Sequence, residues 1–236
     1  MNSIQHNIEQ ISTQIRATEQ QCGRQPNSVQ LLAVSKTKSC EAILEAAQNG
    51  QRAFGENYVQ EGVEKVQYFC QHHADLALEW HFIGPIQSNK TRLVAEHFDW
   101  VHTIDRAKIA QRLSDQRPEH MPPLQVLIQV NTSGEESKSG VITEAEIHEL
   151  AAYITSLPNI QLRGLMSIPA STSDPMAQQA AFRHLAQLQN QLSEHYSHID
   201  TLSMGMSGDM VAAIEAGTTM VRIGTAIFGA RDYGNP

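Results

Sequence analysis

Residues 31–38 read LLAVSKTK. The apolar run Leu31, Leu32, Ala33, Val34 passes into Ser35 and Lys36 with no turn signal between them. Alternate side chains of a strand share a face, so Leu32, Val34 and Lys36 point the same way. If that face is the core, an ammonium stands at the rim of the interior. A partly buried lysine loses solvation, its pKa falls, and the neutral amine becomes a nucleophile able to form a Schiff base with a carbonyl. A lysine that ends a strand and snorkels to water fits the same pattern.

Upstream, residues 3–21 place Ile4, Ile8, Ile11 and Ile15 at helical spacing, and Gly23 and Pro26 close that helix. Downstream, the periodicity predicts helices over 40–48, 58–69, 89–98, 106–115, 143–155, 176–196 and 209–216. Strands are predicted over 53–55, 78–83, 99–104, 124–130, 161–168, 199–204 and 219–223, of which LQVLIQV at 124–130 is the clearest. With 31–38 this makes eight strands alternating with helices. Strands joined by helical crossovers form a parallel sheet. The expected fold is therefore α/β, a single (β/α)8 TIM barrel with an additional N-terminal helix. A doubly wound open sheet is disfavoured because G-x-G-x-x-G is absent after the first strand. No linker or composition shift divides the chain, so one domain over 1–236 is expected.

Composition narrows the function classes. At 41% hydrophobic and 18% charged, the chain has a sizeable core and is not disordered. A net charge of −8 argues against a nucleic-acid binder that works by phosphate neutralisation. The N-terminus lacks a signal-peptide pattern, and no apolar run approaches the ~18 residues of a membrane span. Cys22, Cys40 and Cys70 form neither a disulfide framework nor a metal motif, which suits a reducing cytoplasm. A monomer is expected.

In a barrel the site gathers at the C-terminal ends of the strands, with phosphate often bound after strands seven and eight. After strand seven comes MGMSGDM, where Ser207 precedes a helix and can meet an anion or act as a plain N-cap. After strand eight comes MVRIGTAIFG. There Gly224 allows close backbone approach and Thr225 adds a hydroxyl and an N–H, unless the pair is an ordinary strand-to-helix turn. Arg222 shares a face with Met220 and Gly224. A lone inward arginine needs a ligand or an acidic partner. A phosphorylated aldehyde suits all three features, and pyridoxal 5′-phosphate offers an aldehyde, a ring nitrogen and a phosphate.

Weaker candidates surround these. Asn57 follows strand two and is placed to line the site. His81 reaches the mouth or serves as a core histidine. Lys138 lies in the loop after strand five. His72, His73 and Asp75 read as solvated surface rather than a metal cluster, and Met204, Met206 and Met210 as packing residues.

The stretches LLAVSKTK (31–38), FGENYVQE (54–61), WHFIGPIQSNK (80–90), LIQVNTSGEESKSG (127–140), RGLMSIP (163–169) and the run 202–231 together resemble the pyridoxal phosphate homeostasis protein family. The resemblance implies a barrel like the N-terminal domain of alanine racemase. It implies pyridoxal phosphate on Lys36, a phosphate cradle of Ser207, Gly224 and Thr225, and Arg222 facing the pyridine nitrogen. It further implies a carrier or regulator of the cofactor without defined turnover, affecting amino-acid and keto-acid balance, with apo pyridoxal phosphate enzymes as partners. An amino-acid racemase is the alternative, and a Schiff-base aldolase a third reading. Racemases carry a further C-terminal domain supplying a second acid/base, for which the residues after strand eight leave no room.

Overall fold

A computed structural model of the chain describes residues 3–230; Arg231, at the end of the last matching stretch, lies outside the described residues. Eight strands close into a barrel in chain order: β1 (Gln30–Val34), β2 (Ala53–Glu56), β3 (Glu79–Phe82), β4 (Trp100–Ile104), β5 (Leu124–Val130), β6 (Ile160–Ser167), β7 (Thr201–Ser203) and β8 (Met220–Ile223). Every neighbouring pair is parallel, including the closing pair of β1 and β8. Around it run α1 (Ile4–Gln21), α2 (Cys40–Gln48), α3 (Val59–His72), α4 (Thr91–His97), α5 (Ala107–Gln116), α6 (Glu144–Thr155), α7 (Pro175–His195), α8 (Met210–Ala216) and α9 (Thr225–Phe228).

Local chemistry explains the helix starts. Ser3, Ser39 and Asp174 accept backbone N–H bonds as N-caps of α1, α2 and α7, and Thr143 with Glu146 forms a capping box on α6. The outward faces of the strands pack on the helices: Leu31, Ala33, Phe54, Phe82, Val101 and Leu165 belong to one large apolar core. The inward faces differ. Leu32, Ala53, Ile83 and Met220 form one small apolar cluster, and Trp100, Leu127 and Met166 another. Between them lie buried polar side chains, His81, His102, Ser203 and Arg222. The barrel interior is thus part oil and part hydrogen-bonded.

The expected elements are present, with shifted ends. β1 stops at Val34, so Lys36 lies beyond the strand in a turn. β7 covers only Thr201–Ser203, and α9 was not anticipated. Met206 is exposed rather than packed, while Met204 and Met210 are buried.

Candidate functional site

Lys36 is half-buried and sits where the chain leaves β1. The N–H of Ser35 still donates to the Gly55 carbonyl of β2 at 2.9 Å, which extends the inward alternation as far as Lys36. Thr37 then takes φ +64°, a left-handed conformation that a β-branched residue adopts only when held. The holding groups come from α3. Lys65 donates to the Ser35 carbonyl at 2.7 Å, and Glu61 accepts the Thr37 N–H at 2.5 Å. Both peptide groups flanking Lys36 are therefore fixed by one helix. Lys65 is itself buried between Glu61 at 2.7 Å and Glu56 at 2.5 Å. Burial raises the Glu56 carboxyl to about 7, against the pull of the Lys65 ammonium.

Gly224 brings β8 against this corner. A Cβ there would lie 3.3 Å from both Cβ and the carbonyl oxygen of Val34. Thr225 follows as the exposed first residue of α9. Ser207 is exposed in the loop after β7; it does not cap α8, whose N-cap is Asp209. That loop starts beside β8, since the Arg222 N–H donates to the Gly205 carbonyl at 2.9 Å.

Arg222 is buried in the barrel, as alternation predicts. Its two hydrogen-bond acceptors are neutral, Ser203 Oγ at 2.7 Å and the Ser167 carbonyl at 2.9 Å. No ion pair forms there among the described residues. Burial lowers its pKa to about 10, with Asp209 opposing, so it remains a cation at neutral pH.

Asn57 is half-buried at the end of β2. Gly84 seats it: a Cβ on Gly84 would fall 2.1 Å from the Asn57 carbonyl oxygen. Asn57 Oδ1, Thr132 Oγ1 and Ser167 Oγ are buried with no hydrogen-bond partner. All three lie at or just past the C-terminal ends of strands, β2, β5 and β6. An unpaired buried polar atom costs about 1–3 kcal/mol. Their gathering at one end, beside a cation with only neutral partners, fits a polar ligand that supplies the missing groups.

His81 does not reach the mouth. It is fully buried, stacked on Trp100, with Nδ1 on His102 at 2.8 Å and Nε2 on Glu79 at 2.6 Å. Both ring nitrogens have protein partners. Lys138 lies 3.5 Å from Glu135 within its own loop. His72 and His73 pack on Tyr68 at the end of α3, and no metal-ligating group of three converges among the described residues.

Sequence reading missed Glu61, Lys65, His102 and Ser203. The signal existed for two of them: His102 and Ser203 stand at inward positions of β4 and β7. The pairing of α3 with the Lys36 turn leaves no local mark.

The model of the family described as alanine racemase, N-terminal domain, matches residues 1–232. The pyridoxal phosphate homeostasis protein of Vibrio alginolyticus is 73% identical over 99% of this chain and all of that protein. That of Escherichia coli K12 is 61% identical over 99% of both. Among solved structures, PipY of Synechococcus elongatus with PLP bound superposes with TM-score 0.80 at 34% identity, covering 96% of this chain and all of that one. Alanine racemase of Corynebacterium glutamicum, at 19% identity and TM-score 0.68 over 62% of its length, shares the fold.

Proposed function

Since the chain belongs to the pyridoxal phosphate homeostasis protein family, on the alanine racemase N-terminal fold, we propose that it holds pyridoxal 5′-phosphate at the C-terminal mouth as an intracellular carrier and regulator. The observation that carries this reading is the arrangement at that mouth. A half-buried lysine on a clamped turn stands beside a close β8–β1 contact, a buried guanidinium with neutral partners, and unpaired buried oxygens.

In this assignment Lys36 presents its amine to the aldehyde. Ser207, Gly224 and Thr225 hold the phosphate, Arg222 faces the pyridine nitrogen, and Asn57 lines the ring pocket. His81 acts only through its neighbours. When bound, the cofactor supplies a carbonyl for amines and an electron-withdrawing ring. Arg222 works against that ring chemistry: a cation facing the nitrogen disfavours its protonation and weakens carbanion stabilisation. The protein accordingly binds without turnover, and apo forms of pyridoxal phosphate enzymes are the recipients. It works as a single-domain monomer in the cytoplasm; Cys22, Cys40 and Cys70 are free thiols, in keeping with a reducing compartment. No helix among the described residues is long and apolar enough to cross a membrane.

The phosphate assignment is tested by ligand pairs. Ser207→Ala and Thr225→Ala should each weaken pyridoxal phosphate binding by roughly 1.5–3 kcal/mol, the worth of a charge-assisted hydrogen bond, and barely change binding of unphosphorylated pyridoxal. Equal losses for both ligands refute the placement. Turnover is tested separately. Loaded protein mixed with alanine in deuterated water should show no α-proton exchange beyond that of free cofactor, whereas brisk exchange supports a racemase.

A further inference from the structure

One buried feature is left unused by the lysine and the phosphate cradle. Glu79, His81, His102, Ser203 and Arg222 form an unbroken series across the barrel, with contacts of 2.6, 2.8, 2.9 and 2.7 Å. The two histidines and Ser203 have no exposed surface, and Arg222 is 5% exposed. Glu79, with 42% of its side chain exposed, opens to a cleft of about 300 Å³ at the N-terminal end, lined by Asp99, Arg117 and Gln125. The series thus links solvent at one end of the barrel to the guanidinium at the other.

Donor and acceptor capacity fixes its polarity. Arginine only donates, and a carboxylate only accepts. With both imidazoles neutral, His81 must give its Nε2 proton to Glu79, so its Nδ1 accepts. His102 then donates from Nε2 and accepts at Nδ1, from the Ser203 hydroxyl. Ser203 in turn accepts from Arg222. Every contact is satisfied, and each donor points from the cation towards the anion. A neutral His102 agrees with its pKa, held well below the usual histidine value chiefly by burial, with the Arg222 cation adding to it. The Glu79 carboxyl is lowered, first by its bond to His81.

We propose that Glu79, His81, His102 and Ser203 are positioning residues that hold Arg222 in one orientation and couple it to the charge at the N-terminal face of the barrel. The charged groups around the pair are few: Glu79 on β3, Asp99 ahead of β4, Arg163 of β6 acting on Glu79, Arg117 acting on Asp99, and Arg222 acting on His102. The effect on the cofactor rests on the functional assignment above; the hydrogen-bond order does not.

The test has two arms on the full chain. Side-chain ¹⁵N–¹H correlation spectra of ligand-free protein near neutral pH should show His81 and His102 as neutral Nε2–H tautomers. Ser203→Ala should alter the His102 Nδ1 shift. Finding either ring as Nδ1–H or as an imidazolium overturns the proposal. In the second arm, pyridoxal phosphate is added and the pH dependence of its visible absorbance followed. Removing the distant anion with Glu79→Gln leaves the guanidinium field less compensated, so the midpoint should move to lower pH by about half a unit. An unmoved midpoint at matched occupancy overturns the coupling. If parent protein gives no visible band, the functional assignment fails, while the tautomers still decide the hydrogen-bond order.

Discussion

Lys36 owes its place to two residues of α3 that touch the peptides on either side of it. Lys65→Met would leave the Ser35 carbonyl, Glu56 and Glu61 without their ammonium. Breaking a buried ion pair from one side costs about 3–5 kcal/mol, and denaturant unfolding should show a loss of that size. A loss under about 1 kcal/mol would mean that solvent replaces Lys65 and that the turn is not held from α3. Glu56 makes the same cluster sensitive to pH. Its folded value of about 7 lies above the ordinary 4.5, so the folded state takes up the proton more readily than the unfolded chain. Stability from this group is full below pH 4.5 and is lost as pH rises through 7. Glu56→Gln should remove that part of the decline. An unchanged slope of stability against pH would contradict the assignment.

Between elements, some glycines sit where an added Cβ would collide with a neighbouring backbone. On Gly84 a Cβ would meet the Asn57 carbonyl oxygen at 2.1 Å and its Cα at 2.8 Å, so the turn after β3 and the end of β2 cannot both keep their places. Gly84→Ala should destabilise by at least the roughly 1–3 kcal/mol of an overpacked core. Gly208→Ala, where a Cβ meets nothing within 4 Å, should stay within about 0.5 kcal/mol. Equal effects at the two positions would show that β2 and β3 tolerate separation. The same scale shows what the sequence could reveal. Helix α2 and strand β5 fall at the expected residues because each depends on its own periodicity and punctuation. Strand β7 is shorter than expected because pairing with β6 and β8, not composition, sets its ends. The placement of Arg222 inside the barrel, and of Gly224 and Thr225 where β8 passes into α9, follows from strand alternation and turn chemistry. Glu61 and Lys65 were not legible in this way, because their partners lie 24 and 30 residues away in the chain. For His81 the sequence leaves the mouth and the core both open, because alternation gives the face of a strand and not the depth along the barrel axis; the structure buries it.

For the whole molecule, parallel closure sends the C-terminal ends of all eight strands to one face. Lys36, Asn57, Ser207 and Gly224 come from four strand ends, so the proposed binding at this mouth would use the barrel itself as its scaffold. The polar interior joins that face to the opposite one through Arg222. In the proposed function one lysine, Lys36, forms the covalent link to pyridoxal phosphate. Borohydride reduction of the loaded protein, followed by peptide mapping by mass spectrometry, measures this directly. A phosphopyridoxyl group is expected on Lys36 at near-unit occupancy, lost together with the visible band in Lys36→Ala while the fold is kept. A label carried chiefly by another lysine, or a visible band that survives Lys36→Ala, would contradict it.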